Sequence, residues 1–394
     1  MRVAVVHHWF VTRGGGERVA ECIASLFPKA EIFTLLAREE GLPYTLRGRK
    51  LHTSVLQRLP GAQNFHRHLL PFYPEAVESL YLRGFDLVLS SDSGPVKGVR
   101  LSPGAVHICY CHSPMRYLWD GYAAYRAGMG FATRLAFRAT AGRVRRWDAA
   151  AAARVTHFLA NSAYVADRIR RAYGREAEVL HPPIDLHRAA AVLHVDPRDH
   201  YLCAGRLVAY KRTELMIEAC HRLGRTLHIA GTGPEEPRLR RLAGELGTRV
   251  EFLGEVSTQR LWEEYARCRA LLFAADEDFG MVPLEAQACG RPVIAYGAGG
   301  SLETVCGVAE PGKSGGPITG AYFEEQSVNA LVAAVDLWER GGEARFRPSN
   351  ARAWAARFDT PLFLEQFRSL VLRHVPEAAD DCLPAAEAAA IVAR

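Results

Sequence analysis

The sequence predicts an α/β protein of two domains, each a parallel sheet with helices on its faces. Short apolar runs alternate with helical patterns along most of the chain, joined by tight turns, which is the order such a sheet requires. The length of 394 residues allows two cores of ordinary size. Between them the chain reads His181-Pro182-Pro183, where two prolines forbid helix. The charge balance changes soon after: residues 1–190 hold 26 Lys and Arg against 15 Asp and Glu, and the remainder 23 against 28. The expected division is a first domain over 1–190, a second over 198–350 and closing helices over 351–375, with the boundary between His181 and His200.

The first strand, Val3-Ala4-Val5-Val6, ends near His7-His8-Trp9-Phe10. It meets the loop Thr12-Arg13-Gly14-Gly15-Gly16-Glu17, after which Val19, Ala20, Ile23 and Leu26 share a helical face. Three successive glycines leave the backbone free to approach a ligand, although the spacing is not the dinucleotide G-x-G-x-x-G. Phe85–Ser90 and Val106–Cys111 read as central strands. The second of these delivers His112 to a carboxyl end, where α/β sheets hold ligands; a core histidine bonded to a neighbouring carbonyl fits the same position. Phe158-Leu159-Ala160 is a further strand, and Ser162 caps a helix over Tyr164–Tyr173. In the second half, Tyr201–Ala204, Thr226–Ala230 and Ala270–Ala274 read as strands. Helices follow near Val328–Trp338, Ala351–Phe358 and Leu362–Val371, and the tail from Glu377 reads as a frayed helix without chemistry.

Composition narrows the class. The apolar share of 49% and charged share of 23% are those of an ordinary soluble protein. No apolar run approaches the roughly eighteen residues of a membrane span, and the chain enters its first strand without a signal-peptide layout, so a cytosolic location is expected. Nine scattered cysteines suit reduced core thiols better than disulfides or a zinc site, and Cys109 and Cys111 should share one strand face. Basic residues gather at Arg47, Arg49 and Lys50, and again at Arg134, Arg138, Arg143, Arg145 and Arg146 beside Leu135, Phe137 and Trp147. Such a segment can lie on an anionic leaflet, each cation contributing on the order of 1 kcal/mol; a solvated helix face fits equally. No nucleic-acid motif is recognised and the basic residues do not interleave with a compact aromatic platform, so no nucleic-acid partner is expected.

The chemistry is concentrated in the second half. In Glu277-Asp278-Phe279-Gly280-Met281-Val282-Pro283-Leu284-Glu285, two carboxylates stand eight residues apart between a buried strand and a helix with Pro near its start. Glu277 then belongs to a loop and Glu285 to the helix's first turn. Helix N-terminal N–H groups favour an anion there, and carboxylates would contact hydroxyls rather than phosphate. A nucleotide sugar offers both kinds of group. The plainer reading, a helix-dipole partner and a solvated loop charge, stays open for these two residues alone. Upstream, Gly205-Arg206-Leu207-Val208-Ala209-Tyr210-Lys211-Arg212 places two cations five residues apart at another strand-to-helix junction, where Arg206 and Lys211 can bracket a diphosphate. Gly231-Thr232-Gly233-Pro234 follows the next strand.

The succession of these motifs, ending in Pro292-Val293-Ile294-Ala295 and Gly299-Gly300, resembles family 4 of the retaining glycosyltransferases. The similarity runs from Met1 to about Val371 and is densest between Tyr201 and Val305. Within it, Cys111-His112-Ser113-Pro114-Met115-Arg116-Tyr117-Leu118-Trp119-Asp120 is similar to a bacterial branch rich in mannosyltransferases of cell-surface polysaccharide assembly. The resemblance implies the GT-B fold, two Rossmann-like domains facing each other across a cleft, with the last helix packing back across the first domain. It implies that Arg206 and Lys211 stabilise the leaving diphosphate, Glu277 binds the donor sugar's hydroxyls and Glu285 the ribose. His112 would reach the sugar near its reacting carbon, and the Gly15-Gly16 loop would approach the donor phosphates and acceptor. Phe279, Gly280, Met281 and Val282 would position the sugar ring.

The expected donor is GDP-mannose, on the branch resemblance; a UDP-hexose or another GDP-sugar is the alternative. The expected acceptor is a glycan or a lipid-diphosphate-linked oligosaccharide at the inner membrane face. No cofactor is expected. Asp276-Glu277-Asp278 matches the D-x-D pattern that holds a metal in other glycosyltransferases, but the two cations already neutralise a diphosphate, and metal independence is the expectation. A nucleotide-sugar epimerase of the same fold would need further acid and base groups at the sugar. A non-catalytic sensor would have lost His112 or Glu277, and both are present.

Overall fold

The computed structural model describes residues 1–394 apart from 13, 128–129, 308–316 and 394. The chain folds as two compact units, one of Met1–Pro183 with Thr360–Arg394, the other of Ile184–Asp359.

Among the described residues the first unit holds seven strands: β1 (Val3–Phe10), β2 (Glu31–Ala37), β3 (Leu51–Thr53), β4 (Leu87–Asp92), β5 (Val106–Cys111), β6 (His157–Ala160) and β7 (Glu178–Val179). All pair in parallel in the order β3-β2-β1-β4-β5-β6-β7. The order reverses between β1 and β4, so the loops at their carboxyl ends part and leave room for a ligand. The helix Gly15–Leu26 covers one face with Val19, Ala20, Ile23 and Leu26, all fully buried, as their helical spacing requires. The helix Thr360–His374 packs on the same face through Phe363, Leu364 and Phe367. The opposite face is covered by Tyr73, Val77, Met115 and Val144, among others. Ser162 caps the helix Ala163–Tyr173 by accepting the Val165 N–H at 3.0 Å.

The tail differs from expectation. Pro376–Asp381 forms a 3-10 turn and Ala385–Val392 a packed helix. Ala385, Ala388 and Val392 recur on one face and join the core against Gly15–Leu26. The Leu383 N–H donates to the Leu26 carbonyl at 2.8 Å, and the N-terminal ammonium pairs with Asp381 at 2.5 Å. An alanine-rich run carries no polar face to announce such packing, which is why its sequence reads as frayed.

The second unit holds β8 (His200–Ala204), β9 (Thr226–Ala230), β10 (Val250–Gly254), β11 (Ala270–Phe273), β12 (Val293–Tyr296) and β13 (Gly320–Phe323), parallel in the order β10-β9-β8-β11-β12-β13. Its reversal lies between β8 and β11, and the two charged motifs follow those two strands. Residues 184–190, assigned above to the first domain, belong here: Ile184 and Ala189 are buried in this unit's core. Residues 351–359 do likewise, with Ala355 and Phe358 in the same cluster. All nine cysteines are free and eight are buried, and Cys109 and Cys111 lie in one apolar cluster.

Candidate active site

In the second unit, β8 is followed by Gly205, whose φ of +130° only glycine adopts easily, and β9 by Gly231 at +127°. The two following loops lie backbone against backbone. The Leu207 N–H donates to Thr232 O at 2.9 Å, and the Glu235 N–H to Leu207 O at 3.1 Å. A Cβ on Gly231 would stand 2.1 Å from Gly205 O, and one on Gly233 2.2 Å from Leu207 O, so the close approach requires both glycines. This clamp fixes the loop that carries Arg206 outward and returns through the 3-10 turn Ala209–Lys211. Arg206 is exposed and makes no hydrogen bond or ion pair to the described residues. Lys211 turns inward, over the Phe273 ring at 5.6 Å, and pairs with Glu277. Burial opposes the Lys211 charge, but Glu277 together with Tyr210 and Cys203 outweighs it and the ammonium is held above its ordinary pKa.

Glu277 is placed by its own backbone. Its carbonyl accepts the Gly300 N–H at 2.8 Å, and Gly299 and Gly300 lie so close that a Cβ on Gly300 would meet Phe279 Cα at 2.2 Å. Phe279 is buried beneath, and Gly280, at φ +93°, starts the helix Met281–Ala288. The helix therefore begins before Pro283, and Glu285 lies in its second turn rather than its first. There Glu285 accepts a hydrogen bond from the Tyr265 hydroxyl at 2.8 Å. Burial raises the Glu285 pKa; the Tyr265 bond and the Lys211 charge oppose the rise. Arg206, Lys211, Glu277, Phe279–Val282 and Glu285 thus fall on the two segments after β8 and β11, at one edge of the sheet.

In the first unit, Gly14 caps the helix Gly15–Leu26, and Gly15 and Gly16 form its first turn; Arg13 lies outside the described residues. A Cβ on Gly16 would stand 3.5 Å from His7, 3.8 Å from His8 and 3.8 Å from His112 Nε2, so the glycine opens onto a histidine cluster. His112 follows β5. Its backbone is fixed by Asp92 O at 2.7 Å and by the Asn161 amide, which donates to the His112 carbonyl at 3.0 Å. Its Nε2 shares a 2.8 Å hydrogen bond with Ser91 Oγ, which in turn lies 3.1 Å from His7 Nδ1. Burial, with a contribution from His7, lowers the His112 pKa to about 3, so the ring is neutral near pH 7 and acts through hydrogen bonds.

Sequence reasoning passed over Ser91, His7, His8, Glu17 and Tyr265. Only the His7-His8 pair at a strand's carboxyl end offered a signal. Burial lowers His7 to about 3 and raises Glu17, and His7 Nε2 lies 3.9 Å from Glu17 Oε1. Among the described residues, two groups bring ligand atoms close enough to chelate a cation, His7 with His8 and Glu17, and His200 with His228 and Glu264; Asp276, Glu277 and Asp278 form no such group.

Two family models divide the chain: "Glycosyltransferase Family 4" matches residues 13–188, and "Glycosyl transferases group 1" matches 189–353. The chain belongs to the family 4 glycosyltransferases. The division of the two matches falls near the observed boundary at Pro183, and the glycine clamp and the Lys211–Glu277 pair lie within the second. Among curated relatives, the GDP-mannose-dependent alpha-(1-6)-phosphatidylinositol monomannoside mannosyltransferase of Mycolicibacterium smegmatis is 32% identical over 226 residues, 49% of this chain and 56% of that protein. The D-inositol 3-phosphate glycosyltransferase of Mycobacterium sp. (strain KMS) is 34% identical over 188 residues, 43% of this chain and 41% of that protein. The chain thus spans about half the length of the curated relatives it matches. Among solved structures, Anabaena HepE in complex with UDP and glucose aligns with a TM-score of 0.67 at 18% identity, covering 94% of this chain and 99% of that one. That likeness places both units in the GT-B fold. No described helix is long and apolar enough to cross a membrane.

Proposed function

We propose that this glycosyltransferase moves mannose from GDP-mannose, with retention at the anomeric carbon, to a hydroxyl of a glycan or lipid-diphosphate-linked acceptor in surface polysaccharide synthesis. The observation that carries the reading is the grouping of an exposed Arg206, the Lys211–Glu277 pair and the helix start at Met281 on one sheet edge. Breaking a sugar C1–O bond to a diphosphate builds negative charge on the leaving phosphate and positive charge on the ring. Arg206 and Lys211 answer the first and Glu277 contacts the sugar hydroxyls, which requires Lys211 and Glu277 to be shared between each other and the donor. Glu285, held by Tyr265, accepts from the ribose. His112 offers a neutral ring to the sugar, and Ser91 and His7 keep it oriented.

Supporting the donor choice, the Mycolicibacterium relative is named for GDP-mannose. A UDP-hexose donor remains the second reading, because the base would be read largely by backbone groups. Metal independence is part of the proposal and predicts full turnover in chelator. Peripheral attachment to the inner membrane face is supported by the helix Phe131–Ala153, on which Phe131 is 84% and Leu135 60% exposed beside Arg134 and Arg138. The experiment is transfer from GDP-mannose labelled with 13C at C1 into a lipid-linked glycan extract in chelator. An α-mannoside product supports the reading; an isomerised free nucleotide sugar would assign an epimerase instead.

A further inference from the structure

Beside the segment that carries His112, the first unit holds a pocket of about 190 Å³ lined by Trp119, Asp120, Arg145, Arg168 and Arg171. That volume is below the roughly 300 Å³ at which drug-sized ligand pockets begin, and suits a single charged group rather than a nucleotide. Its charges are not self-neutralised. Arg168, 3% exposed, takes up the Asp120 carboxylate through two nitrogens at 2.6 Å and donates to Ser113 Oγ at 3.0 Å. Arg171 is exposed and paired with Asp167 at 2.8 Å. Arg145 is half-buried, with no carboxylate partner among the described residues. Its Nε donates to the Leu118 carbonyl at 2.7 Å, and its guanidinium lies 5.5 Å from the Trp119 ring and 5.1 Å from the Tyr122 ring. Trp119 is in turn locked by its indole N–H on Asp148 at 2.8 Å. A planar cation held from one edge and across its face, with its remaining donors toward a concave surface, is built to receive an oxyanion.

We propose that this pocket is an anion subsite that takes a phosphate-class group of the acceptor, with Arg145 and Arg171 as its donors and Trp119 as its wall. The acceptor assignment rests on the transferase reading; the anion site itself does not. Ser113 and Pro114 join the pocket directly to His112, so an acceptor anchored there is held by the same segment that presents the catalytic histidine.

The test is calorimetric titration of inorganic pyrophosphate into the full chain with excess GDP present to occupy the second unit. Pyrophosphate should bind, and Arg145→Gln and Arg171→Glu should each weaken it by at least about tenfold, as loss of a charge-assisted hydrogen bond does. The exposed Arg171 variant guards against misfolding of the Arg145 variant, and unchanged GDP affinity in both shows that the donor site is intact. Glucose 6-phosphate and phosphatidylglycerol vesicles, titrated in parallel, separate a soluble phosphate from a lipid headgroup as the source; an arginine-dependent response to either supports the subsite. Pyrophosphate binding that is absent, or equal in the wild type and both variants, overturns it. A protein that binds pyrophosphate through Arg145 yet ignores GDP would keep the anion site while removing the transferase reading.

Discussion

Replacing Glu277 by Gln separates a chemical role from a structural one. The Lys211 and Glu277 side chains are 14% and 21% exposed, between the regimes of surface and buried ion pairs. Surface pairs contribute about 0–1 kcal/mol, and breaking a buried one costs about 3–5 kcal/mol; a partly solvated pair should cost about 1–2 kcal/mol. In a unit of this size that lowers Tm by about 2–8 °C. Against a typical stability of about 5–15 kcal/mol, nearly all molecules stay folded at 25 °C. Turnover should nevertheless fall by roughly a hundredfold to a thousandfold, because a group facing developing charge in the transition state is lost. The assay is mannosyl transfer beside a thermal melt of the same preparation. The charge-swapped double variant, Lys211→Glu with Glu277→Lys, sharpens the comparison: it should recover much of the Tm and none of the turnover. Near-wild-type turnover in Glu277→Gln, or recovery of activity with Tm in the swap, would refute the reasoning.

Three further outcomes are expected. Gly300→Ala drives a Cβ to 2.2 Å from Phe279 Cα, so the Glu277 loop must shift; a loss of about 1–3 kcal/mol by melting and weaker nucleotide binding by calorimetry should appear together. Ser91→Ala removes the 2.8 Å bond to His112 and should lower kcat by roughly tenfold with donor affinity unchanged, since about 1.4 kcal/mol of orientation is at stake. Acid should destabilise the first unit: His7 and His107 are both pushed down to about 3 by burial. The unfolded chain takes up these protons below about pH 6.5 and the folded chain does not, so each group's stability is present above that pH and is lost as pH falls toward 3, at up to about 1.4 kcal/mol per pH unit. Glu17, raised by burial, acts in the opposite direction. Melts between pH 7.5 and 5 should show the decline, shallower in His107→Asn.

Much of the fold was legible because the central strands are compact apolar runs and each reversal of strand order coincides with a motif, whereas the edge strands Leu51–Thr53, Glu178–Val179 and Val250–Gly254 carry polar or exposed residues and gave no such signal. Gly205 and Gly231 marked loops that only glycine could bring together, and Arg206, Lys211 and Glu277 do converge at one edge. What escaped reading depended on partners distant in sequence. Ser91 reaches His112 across paired strands, and Tyr265 reaches Glu285 from another helix; neither carries a local signature. The start of the helix at Met281 was set by the left-handed Gly280, not by the proline that drew attention. Arg145 read as one of several cations on a basic helix, whereas its position between the Trp119 and Tyr122 rings singles it out.

The most direct test of the central claim is calorimetry of GDP, GDP-mannose, UDP and UDP-glucose, in chelator, against the wild type and Lys211→Ala. Binding of GDP and GDP-mannose, lost or strongly weakened in the variant, is the predicted result. Failure to bind any of these nucleotides, or binding indifferent to Lys211, would contradict the account.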